Sequence, residues 1–385
     1  LQQEAGVMAD FATATRAYTA WVGGYLALDA AGLAEKRRKM DRKKVFPFLR
    51  GSFYRWAWQF SAVAPALREA PRLLSVGDAH LENYGTWRDA EGRLVWGVND
   101  FDEAAELPFT SDLVRLATSL LLARRDEPRK ILAAEAEGVA ALLQGYREGL
   151  AEPLPFVLDE APHGALRAVA MQRYDPVGEW QDISTRGEAA TPGDLELLHL
   201  LLTSLPQGAR PLAFRRPTRG LGALGRPRWS VIASWHGGLV AREAKATAPS
   251  AAVMPARPAS RVTDHRRLAA EARRAPDPGF CIAERWVVRR LSPEARKIEL
   301  ADMLAEGSTG ADPAEGQRAL LGAMGREMAN VHAGTAHDPE ALAAWLGRLP
   351  EGWLLQAAEA AASRVVADHA AFRRDPEVVE QMPAC

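Results

Sequence analysis

Asp78 and Asn83, five residues apart in "GDAHLEN", put a carboxylate and a side-chain amide oxygen in one short loop. Twenty-two residues beyond Asp78, Asp100 stands in "NDFDEA" with Asp102 close behind. Carboxylate and amide oxygens are the donors a hard divalent cation prefers, and a loop carboxylate can also accept a hydroxyl proton. Gly220, Gly222 and Gly225 form a GxGxxG, a backbone able to approach phosphate because no Cβ intervenes. Lys245 follows twenty residues after Gly225, where an ammonium can pair with phosphate oxygens as a point charge. Each feature also has an ordinary reading. Asp and Asn in a turn bond their own backbone, and a strand-end lysine is commonly a solvated edge residue. Asp102 reads either as a second metal ligand or as an exposed turn acid. His80 reads as a ligand, a base, or the partner of a loop-orienting hydrogen bond.

The elements that must position these groups are legible from periodicity and breakers. Leu73, Leu74 and Val76 read as a strand ending at Gly77, so the polar stretch after it is expected as an exposed turn. A hairpin follows, Tyr84 to Arg88, the turn "DAEG", then Arg93 to Asn99, which delivers Asp100 at a strand end. "TSDLVRLATSLLLARR" is a helix with Thr110 or Ser111 as its cap, and "ILAAEAEGVAALLQGYREGL" is another. "RWSVIASW", "HGG" and "LVAREAK" make a second hairpin ending at Lys245; because a hairpin and not a helix follows the glycines, a dinucleotide-binding βαβ reading fails. A helix over about 260–274 leads into the strand "ERWVVRRL", and the chain is helical again from about 313.

Bulk composition narrows the classes. At 385 residues the chain is long enough for two or three packed units, and 48 Lys plus Arg against 49 Asp plus Glu leaves no global basic field for nucleic acid or an anionic membrane. Two cysteines, Cys281 and Cys385, build neither a disulfide framework nor a structural zinc site, which suits a reducing cytoplasm. The N-terminal stretch, interrupted by Asp10, Arg16 and Asp29, reads as one or two amphipathic helices and not as a signal peptide or membrane span. The aromatic run Phe53 to Phe60 reads as a packed helix face, and Pro153, Pro155 and Pro162 mark a linker.

"GDAHLEN", "NDFDE" and "SDLVRLATSL" resemble the catalytic loop, metal loop and following helix of aminoglycoside- and choline-type phosphotransferases of the protein-kinase-like fold. More closely, the whole arrangement resembles the bacterial domain-of-unknown-function family 2252. "FLRG", "GDAHLENYG", "GLGALG", "KATAPS", "RVTDHRRL", "WVVRRLSPEARK" and "MANVHAG" carry that resemblance across residues 36 to 335. It implies an α+β, two-lobed kinase-like fold in circularly permuted order, since the glycines and lysine follow the acidic loops. Residues 1–150 and 306–385 would form a helical catalytic lobe, and 151–305 a small nucleotide-binding lobe.

The roles implied are ATP and magnesium as cofactors, Gly220, Gly222, Gly225 and Lys245 on the nucleotide phosphates, Asp100, Asn83 and Asp102 on the metal, and Asp78 on an acceptor hydroxyl. Asp112 resembles the buried acid that ties down the catalytic loop, and the helix carrying His332 resembles the one that leads into it. Two departures stand out. Val76 replaces the His that phosphotransferases often carry before Gly-Asp, and neither Asp264 nor Glu271 cleanly matches the helix Glu that partners the strand lysine. Arg50, Arg289 and Lys297 read either as anion contacts or as ordinary surface cations. The short segment 103–111 favours a small-molecule acceptor over a protein. Adenylyl transfer on the same fold, or a catalytically weak nucleotide-binding regulatory module, are the alternatives.

Overall fold

The chain is seen in a computed structural model that describes residues 10–41, 43–172, 174–217, 224–254, 263–304 and 312–374. Its architecture is mixed α+β with several antiparallel sheets. The N-terminal stretch forms two helices, α1 (Phe11–Gly23) and α2 (Ala30–Met40), capped by the carboxylates of Asp10 and Asp29. Pro47 starts the short helix α3 (Phe46–Gly51), and the aromatic run forms α4 (Phe53–Val63) with Phe53, Tyr54, Trp56, Trp58 and Phe60 buried.

Strand β1 (Arg72–Ser75) leads to the acidic loop, and the hairpin β2 (Tyr84–Arg88) and β3 (Leu94–Val98) leads to Asp100. Strand β4 (Ala105–Pro108) then returns antiparallel to β1. Helix α5 (Thr110–Asp126) follows. Its N-cap is Phe109, which makes no side-chain cap bond, so the expected capping by Thr110 or Ser111 is not seen; Thr110 is the first helical residue. Helix α6 (Glu135–Ala151) precedes β5 (Phe156–Val157), which pairs with β3 and carries that sheet past Pro153 and Pro155 of the expected linker.

Helices α7 (Gly164–Met171) and α8 (Pro176–Thr185), strand β6 (Glu188–Ala189), helix α9 (Leu195–Thr203) and strand β7 (Arg210–Arg216) precede the second hairpin. That hairpin is β8 (Arg228–Trp235) and β9 (Gly238–Ala246). Its turn residues His236 and Gly237 both have positive φ, 45° and 84°, the pattern of a two-residue turn matched to strand twist. After α10 (Thr263–Glu271), strands β10 (Cys281–Ala283) and β11 (Trp286–Leu291) complete a six-stranded antiparallel sheet ordered β10-β11-β9-β8-β7-β6. Helices α11 (Pro313–Thr335), α12 (Pro339–Leu346) and α13 (Trp353–Arg374) close the described chain.

The main core gathers the helices with β1 to β5, while a second core lies between the large sheet and α9. Alternation along β9 decides what the sheet presents on each side. Ala244 and Ala246 join the second core with Leu197 and Leu201, so Glu243 and Lys245 face the other way. Register places Arg228 of β8 opposite Lys245 and Arg289 of β11 opposite Glu243, which puts these four charged side chains on one face. No helix among the described residues is long and apolar enough to cross a membrane.

Candidate functional site

Between this charged face and the loops after β1 and β3 lies a cleft of about 740 Å³. Asp78, Asn83, Asp100 and Asp102 all line it. The loop after β1 is mostly buried, contrary to the exposed turn expected from its polarity, because its backbone polar groups find partners inside the fold. Asp112, fully buried in the first turn of α5, accepts the N–H of Val76 at 2.7 Å and of Gly77 at 2.9 Å. His332 at the end of α11 reaches the same carboxylate at 3.1 Å, and Tyr146 bonds the other ring nitrogen at 2.8 Å. Gly77 has φ +82°, and a Cβ there would lie 2.1 Å from the Glu103 carbonyl oxygen. No side chain fits at that position.

Further along the loop, Ser119 accepts the Leu81 N–H, and His80 Nδ1 accepts the Glu82 N–H at 3.1 Å. His80 thus orients the loop. Burial, with Arg50 and Lys297 nearby, holds its pKa well below the ordinary value, so the imidazole is neutral near pH 7. Asn83 donates through Nδ2 to the carbonyls of Asp78 and Asp100, at 3.3 and 3.1 Å. With its NH₂ used in clamping the two loops together, its amide oxygen is the atom available as an acceptor.

Asp78 meets a partner that sequence reasoning missed. Arg115 of α5, fully buried, places Nε 2.9 Å from Asp78 Oδ1 and contacts the same oxygen through Nη2. Its guanidinium also lies 5.2 Å from the ring centroids of Phe53 and of Trp56 and donates to the Leu49 carbonyl. Burial raises the Asp78 pKa, with Arg115 opposing it. The only sequence signal was an arginine three residues after Asp112 and four before Ser119, on one polar stripe of an otherwise leucine-rich helix.

Lys245 is not a solvated edge residue. It is 1% exposed on β9, an interior strand flanked by β11 and β8. Its ammonium lies 3.1 and 3.2 Å from the two oxygens of Asp100 and 2.5 Å from Asp102 Oδ2, bridging 145 residues of chain. Asp102 is therefore no exposed turn acid. Burial pushes the Asp100 carboxyl up, but Lys245 and Arg289 outweigh it and hold the pKa far below the usual range. Asp264 and Glu271 contribute nothing here: Glu271 pairs with Arg267 on its own helix.

The rest of the charged network surrounds this pair. Arg228 lies 2.6 Å from Glu243, whose pKa is held at about 2 by Arg228 and Arg289 against the upward push of burial. Arg226 joins Glu103 at 3.0 Å and the Tyr18 hydroxyl at 3.3 Å. Glu103 also accepts the Ala251 N–H at 2.8 Å, tying the segment after β9 to the loop after β3. Gly220 and Gly222 lie outside the described residues. Gly225, with φ +90°, packs on α2, where a Cβ would meet Leu33 Cδ2 at 2.3 Å. Its missing side chain serves a helix contact.

Among the described residues no three His, Cys, Asp or Glu side chains gather into a preformed metal centre. The carboxylates that do converge are Asp100 and Asp102, both on Lys245, and Asn83 lines the same cleft. Several cleft-lining arginines keep a buried nitrogen without a hydrogen-bond partner: Arg50 Nε, Arg226 Nη1, Arg289 Nε and Arg296 Nη1. Buried donors are rarely left so, and a bound anion would satisfy them.

A family model described as "Uncharacterized protein conserved in bacteria (DUF2252)" matches residues 29–155, a stretch that runs from α2 through α6 and contains both acidic loops. No curated protein and no solved structure matches the chain.

Proposed function

We propose that the chain is an ATP- and magnesium-dependent phosphotransferase acting on a small hydroxyl acceptor, built as a kinase-like pair of lobes in permuted order. The observation that carries this reading is the buried Lys245 ammonium on the sheet meeting Asp100 and Asp102 across a charged cleft that also holds Asp78 and Asn83. A strand lysine facing metal-type acids is the arrangement that positions a polyphosphate between a cation and a metal.

The residues present fit the cofactors. Asp100, Asp102 and the Asn83 amide oxygen supply hard donors for magnesium, and Arg226 Nη1 and Arg289 Nε, which make no hydrogen bond and lie 3.6 Å from Asp102 and 3.8 Å from Glu243, supply donors for phosphate. When bound, magnesium supplies charge neutralisation on phosphoryl oxygens. The chain's own residues do the remaining work. Lys245 and Arg226 grip phosphate oxygens, and the surrounding side chains exclude bulk water. Both Arg115 contacts fall on Asp78 Oδ1, which leaves Oδ2 to accept a hydrogen bond from the acceptor hydroxyl and orient its oxygen for attack. The Asp112 clamp keeps this loop from shifting.

A second reading, a nucleotide-binding regulatory module with little turnover, draws on the Asp78–Arg115 pair and on Lys245 meeting, among the described residues, the loop acids Asp100 and Asp102 and no helix Glu. Product analysis with ATP, magnesium and a panel of small alcohols decides among the readings. ADP formed in step with phosphorylated acceptor supports the proposal, pyrophosphate points to adenylyl transfer, and saturable binding without product points to the regulatory module. No binding of magnesium–ATP at all overturns all of them.

A further inference from the structure

The cleft is cationic where Asp78 opens onto it. Arg50, at the end of α3, lies 2.7 Å from Glu82, and Lys297 reaches the same carboxylate at 3.2 Å. One acid thus serves two cations, while Arg50 Nε and Arg296 Nη1 stay buried with no hydrogen-bond partner. Lys36 of α2 lines the same space from the other side, with its pKa drawn to about 8 by burial and by neighbouring Arg226. Two further acids, Glu299 and Asp302, lie on this wall. Asp302 accepts the Glu299 N–H at 2.8 Å and so closes a backbone turn, and Glu299 itself is exposed at the rim. A guanidinium with an unused buried N–H costs stability unless an acceptor arrives.

We propose that the acceptor is itself an anion, a small alcohol carrying a phosphate or carboxylate group, whose charge is held by Arg50 with Lys297 and Arg296 while its hydroxyl lies at Asp78. This rests on the phosphotransferase reading and narrows it. A polycationic acceptor, such as an amine-bearing sugar or a quaternary alcohol, would meet Arg50, Arg296, Lys297 and Lys36 at like charge, with Glu82 shared between Arg50 and Lys297, Asp78 held by Arg115, and Glu299 and Asp302 the acids left on that wall. The chain therefore departs in substrate charge from the phosphotransferases its loops resemble.

The test titrates inorganic phosphate, acetate and spermine into the full chain, with and without saturating magnesium and a non-hydrolysable ATP analogue, following thermal stability and calorimetry. Phosphate or acetate should bind beside the bound analogue, and Arg50→Gln should weaken that binding by about tenfold or more, the loss expected for a charge-assisted hydrogen bond, with analogue affinity unchanged. Stronger binding of phosphate or of acetate identifies which anionic group the acceptor bears. Lys297→Gln, at a side chain 42% exposed, is the second variant should Arg50→Gln fold poorly, and it should weaken the same site. Equal phosphate and acetate affinity in wild type and both variants, or spermine binding in their place, overturns the proposal. So does a loss of analogue affinity in Arg50→Gln matching the loss of phosphate affinity, because the arginine would then belong to the donor nucleotide. If the analogue does not bind at all, the phosphotransferase reading falls. Titrations without it still show whether an Arg50-dependent anion site exists.

Discussion

Asp78 and Asp100 line the same cleft, yet the chain holds them under different constraints. Asp78 is 19% exposed and leans on Arg115, a guanidinium wedged between Phe53 and Trp56 with no route to water. Asp100 is 42% exposed and faces Lys245, an ammonium on a flexible stem rooted in a different sheet. The first pair lies within one packed unit, the β1 loop against α5. The second spans two elements that meet only at the cleft. An acid locked to a rigid planar cation keeps one geometry, whereas an acid that meets a point charge on one side and solvent on the other can exchange that partner for a metal or phosphate. The contrast separates an orienting carboxylate from a ligand-exchanging one, and the variants below test it.

Asp112→Ala carries the largest expected effect. It strips the β1 loop of the carboxylate that accepts two backbone N–H groups and meets His332, leaving them buried and unpaired, at a cost of about 3–5 kcal/mol. Urea unfolding measures it. An unchanged midpoint would show that the loop's rigidity does not come from α5.

Asp78→Asn and Asp100→Ala form the central pair. Asp78→Asn leaves Arg115 buried with a weaker partner and should cost about 2 kcal/mol of stability, while magnesium–ATP still raises the melting temperature and turnover falls by a factor of about 10²–10⁴. Asp100→Ala should cost less stability, because its carboxylate already meets solvent, and should abolish the metal-dependent thermal shift. Equal loss of nucleotide binding in two folded variants would erase the distinction between the acids.

Lys245→Met tests the exchangeable cation itself. The change should weaken nucleotide binding by about tenfold or more in calorimetry, since a charge-assisted contact is lost. Its stability cost should be modest, about 1–2 kcal/mol, because Arg226 and solvent remain near the acids it leaves. Unchanged nucleotide affinity would make Lys245 a purely structural link between sheet and loops.

The last variant sits away from the cleft and checks that burial acts on acids there as it does at Asp78. Glu327 of α11 accepts the Val98 N–H at 3.1 Å and the Asn330 amide at 2.9 Å, and burial raises its pKa to about 7. A raised carboxyl contributes stability that is full below its unfolded value near 4.5 and is lost as pH climbs through about 7. The slope is at most about 1.4 kcal/mol per pH unit for one proton. Glu327→Gln should flatten stability between those limits in denaturant titrations at stepped pH. A wild-type profile that is already flat would contradict the assignment.

The sequence by itself determined the local pieces: the strand before Gly77, which ends at Ser75 and not at Val76, both hairpins, and helices α5 and α11. Their signals lie within a few residues, in period-two and helical patterning, in turn residues such as His236 and Gly237, and in a glycine where only positive φ is possible. Asp78, Asn83 and Asp100 stand out by type and spacing within single loops, and all three line one cleft. Tertiary packing decided their partners. Arg115 looks like any helical arginine until α5 packs its side chain beneath Asp78, and the burial of Lys245 depends on β11 covering one side of β9. The link from Lys245 to Asp100 spans 145 residues, and that from His332 to Asp112 spans 220. No local pattern encodes such pairs. They follow from which faces of helices and sheets bury apolar area against each other, and charged side chains on the remaining faces meet where that packing brings them together.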